Sequence, residues 1–295
     1  MQTHQSIAPA AACRYSGAMP FFRRIPLLAA LSLALLPASV GAQTRPAAPV
    51  QLPPAMRVPA PLPPERQPFA AEIAAFEARD AVTRPAKGGV LFLGSSSIRM
   101  WTDLARDFAG HNVINRGFGG STIPDSVRYI DRIVVPYAPK TVVFYAGDND
   151  LEAGRTPDQV FSDFQALVAG IRQKLPKTRV LFVSIKPSLS RWRLIEGIRA
   201  TNAMVRDYTA ADPLLGYVDI VPQMLGPDGK PRPELFLGDG LHMTRTGYDI
   251  WRAAVGKALQ WKLAPLPAHP TPHGTGKVPA VKPVSVPVRS SKADR

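Results

Sequence analysis

The sequence predicts an α/β fold, a three-layer α/β/α arrangement in which a five-stranded parallel sheet is covered by helices on both faces. Three observations point there. Short runs of apolar and β-branched residues alternate with stretches of helical spacing along residues 88–260. Those runs are apolar throughout, as strands covered on both faces require. Repeated β-α units also favour right-handed crossovers, which put the strands parallel.

The elements follow in order. Val90-Leu91-Phe92-Leu93 reads as the first strand, and Ile98 to Leu104 has helical spacing behind it. Val113-Ile114-Asn115 is the second strand, with a helix start expected at Thr122-Ile123-Pro124-Asp125. Thr141 to Tyr145 is the third. Thr156 is placed to cap a helix whose apolar face is Val160, Phe161, Phe164, Leu167 and Ile171, with Pro157 at its first position. Arg179 to Ser184 makes the fourth strand and Arg191 to Tyr208 the next helix. The spacing predicts a fifth strand over Tyr217 to Ile220, then a last helix capped by Thr244 and packed through Tyr248, Trp251, Ala254, Val255 and Leu259. No internal repeat interrupts this pattern.

The ends of the chain read differently. Arg23 and Arg24 precede the apolar run Ile25 to Leu36, and Val40-Gly41-Ala42 offers small residues for cleavage before Gln43. Residues 1–42 are therefore expected to be an export signal, with Met19 an alternative start and an uncleaved anchor the competing interpretation. The run is short for a membrane span, and no later segment qualifies, so no stable span is expected after signal removal. Residues 43–69 are a linker rich in Pro and Ala, residues 70–262 the folded domain, and residues 263–295 a basic tail rich in Pro that lacks anything large to bury. The expected location is exported, periplasmic or secreted.

Cysteine usage agrees with export. The one cysteine, Cys13, lies ahead of the apolar run, so a chain starting at Gln43 has no disulfide and relies on its core. The formal charge of +14 suggests a polyanion partner until it is located. Six basic residues precede Ala70 and five follow Lys262, each group against a single acid, so much of the excess lies outside the domain. No specific nucleic-acid partner is expected.

Four short stretches carry the chemistry. Ser96, in Gly94-Ser95-Ser96-Ser97, sits where the first strand turns into a helix, so its hydroxyl can leave the sheet while its own N–H faces the same space. A helix cap is the alternative role for a serine here. The segment is neither a Walker loop nor a Gly-x-Ser-x-Gly elbow, since Ile98 takes the last place. Asp239 and His242 fall three residues apart in the loop before the last helix. Acyl transfer needs a base that takes the serine proton and an acid that fixes the base's tautomer, and this pair supplies both. Gly119-Gly120 lets backbone approach a substrate, with the Gly120 N–H a donor, or forms only a tight turn. The Asn149 side chain, after the third strand, is another donor, or a common turn residue.

The acidic cluster Asp148, Asp150 and Glu152 lacks the regular alternation of oxygen-ligand metal loops, so no metal or other cofactor is expected. Ligands of such folds bind beyond the C-terminal ends of the strands. Ser96, Gly120 and Asn149 all fall there. So do Lys186, Arg191, Trp192 and Arg193 after the fourth strand, a basic and aromatic group expected either at the rim of the cleft or at a solvated helix start.

On these four blocks, in this order, the chain resembles the SGNH, or GDSL-type, hydrolases over residues 88–260. By match to the family's motifs, Ser96 takes the nucleophile position, Gly120 and Asn149 the oxyanion positions, and Asp239 with His242 the closing Asp-x-x-His. The resemblance implies a flavodoxin-like three-layer fold and metal-free hydrolysis of acyl esters through an acyl-enzyme, with a small-molecule or glycan ester as substrate. One departure is clear: Ser95 stands where the family's first block has Asp. A non-catalytic carbohydrate or cell-wall binder on the same fold, and an acyltransferase sharing the intermediate, are the competing functions.

Overall fold

A computed structural model of the protein describes residues 67–265. The expected signal, and most of the linker and tail, lie outside the described residues. Among the described residues, no helix is long and apolar enough to cross a membrane.

Five strands form one parallel sheet: β1 (Val90–Gly94), β2 (Val113–Gly117), β3 (Thr141–Tyr145), β4 (Arg179–Val183) and β5 (Leu215–Val218). Their order is β2-β1-β3-β4-β5, and every pairing is parallel. The sheet therefore reverses its winding direction between β1 and β3, where the crevice of a doubly wound fold opens.

The helices in chain order are α1 (Ala70–Val82), α2 (Ser96–Arg99), α3 (Leu104–Asp107), α4 (Ile123–Arg128), α5 (Ile130–Ile133), α6 (Asp148–Glu152), α7 (Pro157–Lys174), α8 (Ile195–Ala210), α9 (Val221–Met224) and α10 (Arg245–Ala258). Strand side chains alternate between two cores, as the pleat demands. Leu91, Leu93, Val142, Phe144, Val180 and Phe182 pack with α1, α4, α5, α7 and α8 through residues such as Ile73, Ile123, Ile133, Phe164, Leu167 and Ile198. Phe92, Val143, Tyr145, Leu181 and Val183 point the other way, onto Ile98, Leu104, Met224, Tyr248, Trp251 and Val255 from α2, α3, α9 and α10, and onto Trp101 between α2 and α3. Burying a side chain of this size contributes roughly 1.5–3 kcal/mol, so both faces of the sheet are held firmly under the loops they carry.

Two caps expected from sequence are present. The Thr156 hydroxyl accepts from the Gln159 N–H while the Gln159 side chain accepts from the Thr156 N–H, a reciprocal box at the start of α7. Thr244 accepts from the Gly247 N–H at the start of α10.

Four elements differ from expectation. The helix behind β1 is broken. It ends at Arg99 and resumes at Leu104, because Trp101 turns into the core, 1% exposed, with its ring N–H donating to Asp107 at 2.6 Å. The fifth strand runs over Leu215–Val218 and stops before Asp219 and Ile220. There the Asp219 carboxylate accepts from the Val221 N–H and the Ile220 N–H donates to the Ser184 hydroxyl, so side chains replace the ladder. The helix after β4 opens with a 3₁₀ turn, Trp192–Leu194, before α8 proper. The first helix, α1, packs Ile73 and Phe76 into the core and pairs Asp80 with Arg116 of β2, and it has no counterpart in the sequence reading.

Candidate active site

The site is built on the carboxyl end of β1. Gly94 adopts φ +142, and a Cβ there would lie 1.8 Å from the Tyr145 carbonyl oxygen, so only glycine lets β1 run this close to β3. The Ser95 N–H then donates to that same carbonyl, and the Ser95 carbonyl accepts from Ile98 and Arg99 to begin α2. Ser96 is its first residue. The start of α2 is pinned from two sides: the Tyr248 hydroxyl donates to the Ser97 carbonyl at 2.9 Å, and Lys186 Nζ donates to Ser97 Oγ at 3.1 Å. Ser95 is 1% exposed, and its Oγ has no hydrogen-bond partner among the described residues.

A continuous line of hydrogen bonds runs through the next three residues. Ser96 Oγ lies 2.9 Å from His242 Nε2, and His242 Nδ1 lies 2.6 Å from Asp239 Oδ2. A carboxylate can only accept, so Nδ1 carries the proton and Nε2 is left to accept from the serine hydroxyl. Asp239 also folds its own turn: Oδ1 accepts from the N–H groups of Leu241 and His242, both at 2.9 Å. Partial burial pushes the Asp239 carboxyl up, but the His242 ring and those two N–H donors outweigh it and hold it below the usual carboxylate range. The turn is closed by the Leu237 N–H on the His242 carbonyl and by the Phe236–Met243 bridge.

The oxyanion candidates meet at the end of β2. The Phe118 N–H donates to the Gly94 carbonyl, so the turn that follows starts beside β1. Gly120 sits in it at φ +78, exposed, with nothing within 4 Å of where a Cβ would be. Asn149 Nδ2 donates to the carbonyl of the next residue, Ser121, at 2.9 Å. Thus Ser96 and His242 are joined directly, and Asn149 is joined to the Gly120 turn.

Sequence reasoning missed what lies beneath. Lys186, expected either at the rim or at a solvated helix start, is fully buried. It donates to Asp148 Oδ2 at 2.9 Å and to the Tyr145 hydroxyl at 2.9 Å as well as to Ser97. Burial pushes the Asp148 carboxyl up, and the charges of Lys186 and Arg191 pull it further down, so it remains an anion. Arg191 reaches over from the 3₁₀ turn: Nη2 donates to Asn149 Oδ1 at 2.9 Å, and Nη1 lies 3.3 Å from Asp148. Nothing in the run Ile185-Lys186-Pro187 separates a buried lysine from a solvated one. Trp192 is half-buried, with Lys230 Nζ 4.6 Å from its ring. Arg193 faces solvent and pairs with Glu152. His111, the other histidine in the domain, stacks on Trp261 at 3.8 Å and touches none of these groups. A hollow of about 610 Å³ is lined by Glu77, Asp80, Arg84, Arg132 and Tyr137; it contains no paired nucleophile and base, so the hydrogen-bonded group marks the better site.

Comparison with known proteins adds an independent line. The model of the GDSL-like Lipase/Acylhydrolase family matches residues 86–250, more than half the chain. Among solved structures, a GDSL-like lipase from Bacteroides thetaiotaomicron aligns with a TM-score of 0.56 at 22% identity, covering 64% of this chain and 98% of that one. A Bacteroides fragilis protein named as an acylhydrolase gives 0.54 at 21%, covering 67% and 96%. A Streptococcus pneumonia protein named for platelet activating factor gives 0.57 at 18%, covering 64% and 92%. At these identities the likeness is one of fold. No match was found among curated proteins.

Proposed function

Because this chain belongs to the GDSL-like lipase/acylhydrolase family, a family of hydrolases, we propose that it is an exported serine esterase that cleaves acyl esters through an acyl-enzyme on Ser96. Its proton passes to His242 Nε2 as Ser96 Oγ bonds to the ester carbonyl carbon. The tetrahedral oxyanion that forms is held by the N–H groups of Ser96 and Gly120 and by Nδ2 of Asn149. Asp239 stabilises the imidazolium, which then protonates the departing alcohol. Water enters, His242 takes its proton, and the second tetrahedral intermediate collapses to free acid and Ser96. No metal is required by this sequence of steps.

The observation that carries the reading is the unbroken line Asp239–His242–Ser96 at 2.6 and 2.9 Å. A binding protein would not need a proton path aimed at a serine. Support for the substrate class comes from the rim. Leu189 and Leu237, each about two-fifths exposed, flank the Asp239–His242 turn, and the Trp192–Lys230 pair lies on the next turn. Apolar and aromatic faces with a cation beside them suit a short acyl group on a carbohydrate or other small alcohol. Periplasmic or secreted placement rests on Arg23-Arg24, the apolar run and Val40-Gly41-Ala42.

The test uses acetyl, butyryl and long-chain nitrophenyl esters and acetylated polysaccharides. Wild type should hydrolyse the short esters and label with a fluorophosphonate, and Ser96→Ala should do neither. Labelling that persists in Ser96→Ala removes Ser96 as nucleophile. Product analysis with added alcohol separates hydrolysis from acyl transfer. N-terminal sequencing of exported protein should begin at Gln43.

A further inference from the structure

We propose that Arg191 is a positioning residue that sets the Asn149 amide as an oxyanion donor; this rests on the esterase reading above. An asparagine amide presents an acceptor at one end and two donors at the other, and the two ends have nearly the same shape. Here the surroundings allow one orientation only. The Ser121 carbonyl, which can only accept, faces Nδ2 at 2.9 Å. The Arg191 guanidinium, which can only donate, faces Oδ1 at 2.9 Å. Turning the amide over would set oxygen against oxygen and N–H against N–H. With Oδ1 and one amide hydrogen engaged, the second hydrogen of Nδ2 is the one left for substrate.

Arg191 is itself held. Its side chain is 13% exposed, with Nη1 at 3.3 Å from Asp148 Oδ2 and Nε at 3.6 Å from Glu152 Oε2. Asp148 is fixed in turn by Lys186 and Tyr145. Since Lys186 also grips Ser97, one chain of contacts links the residue after the nucleophile to the oxyanion donor. A charged donor on Oδ1 also polarises the amide and strengthens its remaining N–H. The guanidinium fork is suited to this double task in a way an ammonium is not.

The test is a double-mutant cycle on a short nitrophenyl ester, with kcat and KM measured separately. Removing an oxyanion donor costs about 10²–10³-fold in kcat. Arg191→Met should lower kcat by roughly tenfold or more, within that ceiling, and leave KM within about threefold. In the Asn149→Ala background the same change should alter kcat by less than about threefold, because the group it positions is gone. Arg191→Lys should recover only part of the loss. Unchanged melting temperature and full fluorophosphonate labelling report an intact fold, and if Arg191→Met does not fold, Arg191→Lys carries the cycle. Equal losses in both backgrounds overturn the proposal, as does a raised KM at constant kcat, which would make Arg191 a substrate contact. Ser96→Ala is assayed alongside: if it is inactive while the cycle is additive, the esterase reading stands and only this inference falls.

Discussion

Asp239 and His242 are bonded to each other twice, once through the ring at 2.6 Å and once through the His242 backbone N–H at 2.9 Å. The same carboxylate thus folds the turn and sets the imidazole tautomer. Asp239→Asn keeps the shape but offers a donor where Nδ1 needs an acceptor. We expect kcat to fall on the order of 10³–10⁴-fold with a nearly unchanged melting temperature. A loss of less than tenfold would mean that His242 finds its tautomer without Asp239.

Asn149→Ala removes a donor without disturbing the core. A drop in kcat of about 10²–10³-fold, equivalent to roughly 3–4 kcal/mol in the barrier, is expected with KM little changed. Steady-state kinetics on a short-chain ester decide it; a change confined to KM would assign Asn149 to ground-state binding.

Two glycines should respond oppositely. Gly94→Ala would drive a Cβ to 1.8 Å from the Tyr145 carbonyl oxygen, and neither strand can yield. Destabilisation beyond about 4 kcal/mol, seen as insoluble or unfolded protein, is expected. Gly120→Ala meets no atom within 4 Å but holds φ +78, costing roughly 1–2 kcal/mol. It should fold, and lose turnover if the proposed role of this turn in holding the oxyanion is right. Full activity in folded Gly120→Ala would remove that turn from the oxyanion site.

Asp150 offers a prediction about pH. It is fully buried, and burial pushes its carboxyl up to about 6, while Oδ1 accepts from the Ile123 N–H and Oδ2 has no hydrogen-bond partner among the described residues. The unfolded chain releases this proton near the ordinary value of about 4. Between there and about pH 6 the folded state binds more protons than the unfolded one, so stability falls as pH rises. The full cost, on the order of 3 kcal/mol, is present above the folded value. Asp150→Asn should therefore be close to neutral in urea unfolding near pH 4 and stabilising near pH 7. Equal pH slopes in the two proteins would contradict it.

The architecture was readable because it rests on periodicity. Runs such as Val142-Val143-Phe144-Tyr145 bury both faces and have few alternatives, and Thr156 and Thr244 announce their helices by capping. The break at Trp101 was not readable, since helical spacing continues through it and only the tertiary bond to Asp107 ends the helix. The end of the fifth strand is hidden in the sequence because Asp219 and Ile220 look like strand residues, and only the Asp219 and Ser184 side-chain bonds end the ladder. The five residues of the candidate site, Ser96, Gly120, Asn149, Asp239 and His242, stood out by their position after strands or before a capped helix. For Lys186 and Arg191 the rim of the cleft and a solvated helix start are equally compatible with the sequence, because sequence carries the charge of a side chain and not its depth.

The side chain of Asp239 is 48% exposed, whereas that of His242 is 21% exposed. In the proposed mechanism the acid that steadies the charged ring thus sits partly in bulk solvent, where mobile ions compete for its field. Turnover in this protein should feel ionic strength through its own orienting carboxylate, even with a neutral substrate.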